Sequence, residues 1–209
     1  MTRLVEGSVA VNANVRQPMM LDIDKAPPAS VLAGVGSIPG AVAGNVSAVE
    51  YGDQKFHQTV LTLANLPQAV VNGTEYQGTK IYDFPEGRIL VLGVTAQLQQ
   101  KTTSEIAGTL NSGVTGAVSL GSVVASATTL ASTMVDLLPS TAFTSSTVIN
   151  EAGAAVGAAL AASAQFNGTT TPLDMYLNSA FATTGDVDAD ATQAWSGTIT
   201  VTWINLGDF

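Results

Sequence analysis

From residue 56 onward, apolar and polar positions alternate in short stretches with the two-residue period of half-buried β-strands. Phe56-His57-Gln58-Thr59-Val60-Leu61-Thr62-Leu63 is rich in β-branched and apolar residues, and Asn65-Leu66-Pro67 is expected to close it. Residues 68–71 lead into the turn-like pair Asn72-Gly73, and Lys80-Ile81-Tyr82-Asp83-Phe84 reads as a short strand stopped by Pro85-Glu86-Gly87. The run from Arg88 to Leu98 begins almost wholly apolar, which predicts a central strand buried on both faces. In the last strand Thr198, Thr200 and Thr202 share one face, and Ile199, Val201 and Trp203 share the other. That strand is expected to be locked into a sheet.

Elsewhere the pattern is weaker. Residues 1–50 are broken by Pro18, Pro27, Pro28, Pro39 and many glycines, so they read as an arm or extension, with residues 51–209 as the β-rich domain. Within the arm, residues 8–15 alternate weakly and suit one strand. Residues 102–147 are rich in Ser, Thr, Gly and Ala and favour strands and loops. A helix is conceivable only over residues 150–164, where Asn150 is placed to cap, although Gly153 and Gly157 each cost about 1 kcal/mol relative to Ala. The expected fold is therefore all-β: an antiparallel β-sandwich or jelly-roll-like domain with an extended N-terminal arm and at most that one short helix.

Composition changes the picture in one respect. Hydrophobic residues make up 46% of the 209, but charged residues only 11%, against about a quarter in ordinary soluble domains. The surface must therefore be built from Ser, Thr, Asn, Gln and Gly, which suits faces covered by neighbours. A net charge of −9 with only 7 Lys and Arg opposes the cationic surface that nucleic-acid binding needs. Without cysteine, disulfides, zinc-thiolate sites and thiol nucleophiles are excluded. No apolar run reaches the roughly 18 residues that span a bilayer, and the first residues lack a signal-peptide pattern, so no membrane partner and synthesis in the cytoplasm are expected.

Little catalytic equipment remains. His57 is the only histidine, which rules out a multi-His metal site, and its place in the alternation makes it a half-exposed structural residue. Asp186, Asp188 and Asp190 alternate in a loop, as oxygen ligands of calcium do, but Ala191 and Gly197 stand where an EF-hand needs glycine and a bidentate glutamate. A looser calcium site and a solvated acidic turn both remain open there. Trp195, Trp203, Tyr176 and Phe209 suit a core better than a sugar platform, with Trp195 as the exception because it opens its strand beside the acidic loop. No phosphate-binding glycine motif occurs, and the three Asn-x-Ser/Thr sequences read as turns.

Two stretches, Lys80-Ile81-Tyr82-Asp83-Phe84-Pro85-Glu86-Gly87-Arg88-Ile89-Leu90-Val91-Leu92-Gly93 and Gly197-Thr198-Ile199-Thr200-Val201-Thr202-Trp203-Ile204-Asn205-Leu206-Gly207-Asp208-Phe209, resemble segments of tailed-bacteriophage virion structural proteins of the capsid decoration or cement type. The resemblance covers roughly residues 56–209 and rests on strand phrasing. It implies a non-enzymatic virion component on the capsid surface, a homotrimer that contacts the major capsid protein, and no catalytic residues or cofactor. The expected partner-binding residues lie in the arm: Val9, Val11, Val15, Pro18, Met19, Met20, Pro27, Pro28 and Pro39. Other expectations are a head fibre, tail tube or capsid subunit, and a calcium-assisted carbohydrate-binding or adhesion module using Trp195 and the acidic loop.

Overall fold

The computed structural model describes residues 35–53, 55–101, 115–144, 148–153, 165–181 and 190–207. They form ten strands: β1 (Val46–Gly52), β2 (Phe56–Val70), β3 (Tyr76–Asp83), β4 (Gly87–Lys101), β5 (Thr115–Gly121), β6 (Leu138–Thr144), β7 (Val148–Gly153), β8 (Gln165–Gly168), β9 (Asp174–Phe181) and β10 (Ala191–Asn205). A single 3-10 turn at Ser132–Met134 interrupts them. The larger sheet has the order β1-β2-β10-β4-β7, with β8 also against β4, and the smaller sheet has the order β3-β9-β5-β6. All pairings between strands are antiparallel. The chain is an all-β, two-sheet sandwich, as the alternation predicts.

The inner face of β10 explains why the sheets close on each other. Trp195, Ile199, Val201 and Trp203 are fully buried, flanked by Leu61, Leu63 and Leu66 of β2 and by Ile89, Val91, Val94 and Leu98 of β4. Each large apolar side chain removed from water contributes about 1.5–3 kcal/mol, so this stripe dominates the stabilisation. Two aromatic clusters stand near its ends. Phe143 meets Trp195 edge-on at 5.1 Å and Phe181 at 6.0 Å; Phe84 meets Trp203 at 5.3 Å and Tyr82 at 5.0 Å, also edge-on.

β2 does not stop at Asn65-Leu66-Pro67. It continues to Val70 through a bulge, because Trp195 pairs with Leu66 while Gly197 pairs with Leu63, leaving one extra residue on β2. Asn65 adopts φ 52° there, a conformation asparagine tolerates, and its amide N–H donates to Ser196 Oγ at 3.0 Å. The Asn45 side chain donates to the carbonyls of Ala64 and Asn65, both at 3.1 Å. Pro67 lies beyond the end of β1, where a strand tolerates a missing N–H.

Two further expectations change. β4 is central in its sheet but buried on one face only: Ile89, Val91, Val94, Ala96, Leu98 and Gln100 point inward, whereas Thr95 and Gln97 are exposed and Leu90 and Leu92 half-buried. The second face has no covering sheet among the described residues. Residues 150–153 are not the start of a helix but part of β7, where Asn150 pairs with Gln97 and Ile149 with Leu98; the β-branched Val148 and Ile149 suit that ladder, and residues 154–164 lie outside the described residues.

Of the segment 1–50, residues 35–50 are described, and they pack on their own domain. Ser37 bridges Asp83, Val42 enters the core, and residues 46 onward form β1. Residues 1–34 lie outside the described residues.

One core feature is polar. Gln68 Oε1 accepts from Trp195 Nε1 (2.9 Å), Gln193 Nε2 (3.0 Å) and Ser179 Oγ (2.9 Å), while Gln68 Nε2 donates to the Leu177 carbonyl (2.7 Å). Gln100 Nε2 extends the cluster to Gln193 Oε1 at 2.7 Å. These side chains join β2, β10 and β4 of one sheet to β9 of the other. Replacing Gln68 by Leu strands several buried donors, each costing about 1–3 kcal/mol. Gln68→Leu is therefore expected to lose about 3 kcal/mol, a fall in Tm of roughly 6–12 °C by circular dichroism.

Candidate functional site: an uncharged sheet face and its edge

The face of the larger sheet turned away from the core is the most distinctive surface of the molecule. Register places its residues in rows across the strands: Ser47, Thr62, Thr198 and Gln97; then Val49, Val60, Thr200 and Thr95; then Tyr51, Gln58, Thr202 and Gly93. A last row of Phe56, Ile204 and Leu90 makes the face apolar at one end, with Phe56 40% exposed. None of these fifteen positions is charged. Strand spacing and rise make the field roughly 15 by 20 Å. The threonines belong here because alternation that sends Ile199, Val201 and Trp203 inward must send their neighbours outward. β-branched threonine also fits a pleated strand without offering a charge to desolvate.

The one acid of β1 is turned inward. Glu50 accepts hydrogen bonds from the hydroxyls of Tyr82 and Thr59, and Thr59 in turn accepts the indole N–H of Trp203 at 2.8 Å. The Gly36 N–H donates to the Tyr82 hydroxyl at 3.1 Å, which ties the entering chain to the same group. Burial pushes the Glu50 carboxyl above its ordinary value of 4.5, more than the Tyr82 and Thr59 hydrogen bonds lower it. Tyr82 is raised as well, first by burial and then by the Glu50 charge. Beside this group His57 is fully buried, its ring stacked on Trp203 at 4.0 Å and 9°. The expectation of a half-exposed histidine is corrected: alternation puts His57 on the inner face with Thr59, and the sandwich covers that face to its end.

Trp195 is also corrected. It is 0% exposed, with Phe143 against its ring and its N–H on Gln68, so it has no face for stacking on a sugar. Of the acidic loop, Asp186 and Asp188 lie outside the described residues. Asp190 uses Oδ1 to accept the Asn72 N–H at 2.9 Å, closing the turn between β2 and β3. Among the described residues no group of three or more His, Cys, Asp or Glu is placed to hold a metal ion. Of the arm positions, Val9, Val11, Val15, Pro18, Met19, Met20, Pro27 and Pro28 lie outside the described residues; the Pro39 carbonyl accepts the Val42 N–H at 3.0 Å in the turn before β1.

Some of this was within reach of the sequence and some was not. Gln193 and Trp195 share a strand face by simple alternation, which flags Gln193 as buried. Gln68 and Glu50 carry no such signal, because the bulge reverses one and the opposite sheet captures the other. A second acid, Asp136, holds the loop between β5 and β6, accepting from the Ser122 N–H (2.8 Å) and hydroxyl (2.6 Å), and burial raises its carboxyl too. Among the described residues no helix is long and apolar enough to cross a membrane. Comparison with family models, with curated proteins and with solved structures finds no match.

The raised acids predict an inverted pH response. A carboxyl whose folded pKa exceeds its unfolded value is protonated in the native state where the unfolded chain is charged, so its contribution is fully present below the unfolded pKa and lost as pH rises through the folded one. Glu50 and Asp136 both act in this sense, from 4.5 and 3.8 upward. Asp53 opposes them only at lower pH: the Phe56 N–H, its main hydrogen-bond donor, holds its carboxyl below 3.8. Tm is expected to rise as pH falls from 7 toward 4.5, and Glu50→Gln to flatten that rise without lowering Tm at pH 7, measured by thermal melts across the range.

Proposed function

We propose that the chain is a non-enzymatic virion structural protein, a head decoration or cement protein that lies on the outer capsid lattice, contacts the major capsid protein and holds neighbouring capsid subunits together. The observation that carries this reading is the uncharged field of fifteen residues on the outer face of the larger sheet. Its hydroxyl, amide and apolar groups can be covered by another protein without stripping water from an ion, whose burial would cost several kcal/mol. The stretches that resemble phage structural proteins support it, for beside the end of β3 and the turn after it they cover the first half of β4 and most of β10, two strands of that face.

The magnitude shapes the mechanism. A face of roughly 300 Å² is less than half of the roughly 800 Å² per partner of a stable interface. One such contact binds weakly. Many copies on one lattice, grouped as homotrimers and reaching neighbours through residues 1–34, would turn weak contacts into a lasting attachment by avidity. The net charge of −9 keeps the coat away from nucleic acid of the same sign.

Placing lysine at Thr62 and Thr200 together tests the reading, since both are in the middle of the face. The double variant is expected to fold with Tm within a few degrees of the parent and to bind purified heads of the source virus at least tenfold more weakly in co-sedimentation. Unchanged binding would remove the face from the interface. Assembly of the purified protein into tubes or shells, rather than a small oligomer, would instead make it a tail-tube or capsid subunit.

A further inference from the structure

The triplet Asn-Gly-Thr occurs twice in the sequence, at residues 72–74 and 167–169, and no other asparagine precedes a glycine. An asparagine in that position can modify itself. The glycine nitrogen attacks the side-chain amide carbon, ammonia leaves as a five-membered succinimide closes, and water then reopens the ring to give aspartate or isoaspartate. Glycine favours the closure because it has no Cβ to crowd the ring. The attacking nitrogen gives up its proton, so an N–H held in a hydrogen bond must first lose that bond. Identical residues therefore react or persist according to what the fold does with one N–H.

At residues 72–74 that N–H is left available. Asn72 and Gly73 form the turn between β2 and β3, closed by the Thr74 N–H on the Val71 carbonyl (3.0 Å) and by the Asn72 N–H on Asp190 Oδ1 (2.9 Å). The Gly73 N–H has no hydrogen bond to the described residues. Both residues are exposed, and a Cβ built on Gly73 would meet nothing within 4 Å, so the turn has room to distort toward the ring.

Residues 167–169 are treated in the opposite way. Both main-chain groups of Arg88 are turned to the chain leaving β10: its N–H donates to the Gly207 carbonyl (2.9 Å), and its carbonyl accepts the Leu206 N–H (2.8 Å). The bonds from β4 to β8 therefore run through Gly87 and Ile89, whose register partners are Gly168 and Phe166. That commits the Gly168 N–H to the Gly87 carbonyl. Gly168 is buried, and an atom at its Cβ position would stand 2.6 Å from that carbonyl oxygen. Thr169 holds the asparagine side chain as well, its hydroxyl donating to Asn167 Oδ1 at 2.8 Å. Ring closure there would break a ladder bond and a side-chain bond together.

We infer that Asn72 is a site of spontaneous deamidation, and that Asn167, in the same triplet, is protected by its strand. The product carries a carboxylate that is ionised at neutral pH, one more negative charge on a chain already at −9. It lies on the residue whose N–H Asp190 accepts, so like charges meet where the turn is tied to the start of β10. Isoaspartate also lengthens the main chain by one carbon in the link between the two sheets. The change loosens that link with time. None of this rests on the assembly reading.

The purified chain is held at physiological temperature and mildly alkaline pH, in buffer and, as the unfolded reference, in guanidinium chloride. Both triplets are followed by peptide-mapping mass spectrometry. In the folded chain residue 72 is expected to gain one mass unit, and to divide into aspartate and isoaspartate forms, at least tenfold faster than residue 167. In guanidinium chloride the two rates are expected to converge. Equal rates in the folded chain, or an Asn72 that stays intact while the unfolded chain converts, would overturn the site. A rate difference that survives unfolding would overturn the protection by β8. The converted chain, separated by its extra charge on ion exchange, is expected to melt below the unconverted one, and equal melting would overturn the loosening.

Discussion

The sandwich depends on the burial of two indole N–H groups eight residues apart on one strand. Trp195 and Trp203 sit toward opposite ends of β10, both fully buried, and each needs an acceptor whose loss would cost about 1–3 kcal/mol. Both acceptors come from β2: Gln68 for Trp195 and Thr59 for Trp203. These are nine residues apart, an odd spacing that would put them on opposite faces of a regular strand. The extra residue at the Ala64-Asn65 bulge turns both inward. Asn45 and Ser196 hold that bulge, so a surface kink sets the register of the whole core.

Around each tryptophan the acceptor serves more than one element. Gln68 also takes donors from Gln193 and Ser179, which ties the smaller sheet to the larger at one end. Thr59 donates its own hydroxyl hydrogen bond to Glu50, which also accepts from the Tyr82 hydroxyl, and this ties β1 to β3 at the other. Polar groups buried in this way constrain alignment more than they add stability, because each satisfied bond nets only about 1 kcal/mol while a misaligned one leaves a donor stranded. The same arrangement keeps the acid of β1 off the uncharged field of the outer face.

The alternation of Thr198, Thr200 and Thr202 against Ile199, Val201 and Trp203 is enough to place both faces of β10, because the period of a strand is local geometry. The interruption expected in β2 fails for the opposite reason. Asn65-Leu66-Pro67 looks like an ending from its own residues, and it becomes a bulge only because Trp195 on another strand rewards continuation. His57 and Trp195 reversed for a related reason: how far a sheet is covered at its ends depends on the facing sheet, and nothing in a strand's own residues records that.

What the sequence determined by itself was the class of structure and the character of its surface. Two-residue periodicity demands strands, and a chain with 11% charged residues can only cover itself with hydroxyls and amides. What the tertiary structure alone decided was where the few decisive polar groups point. Glu50 is an acid of a surface strand until Tyr82, thirty-two residues away, donates its hydroxyl to it from the facing sheet, and Gln68 is an outward residue until the bulge rotates it. Both decisions come from pairing between distant segments, where the cost of a stranded donor is settled across strands and not within one.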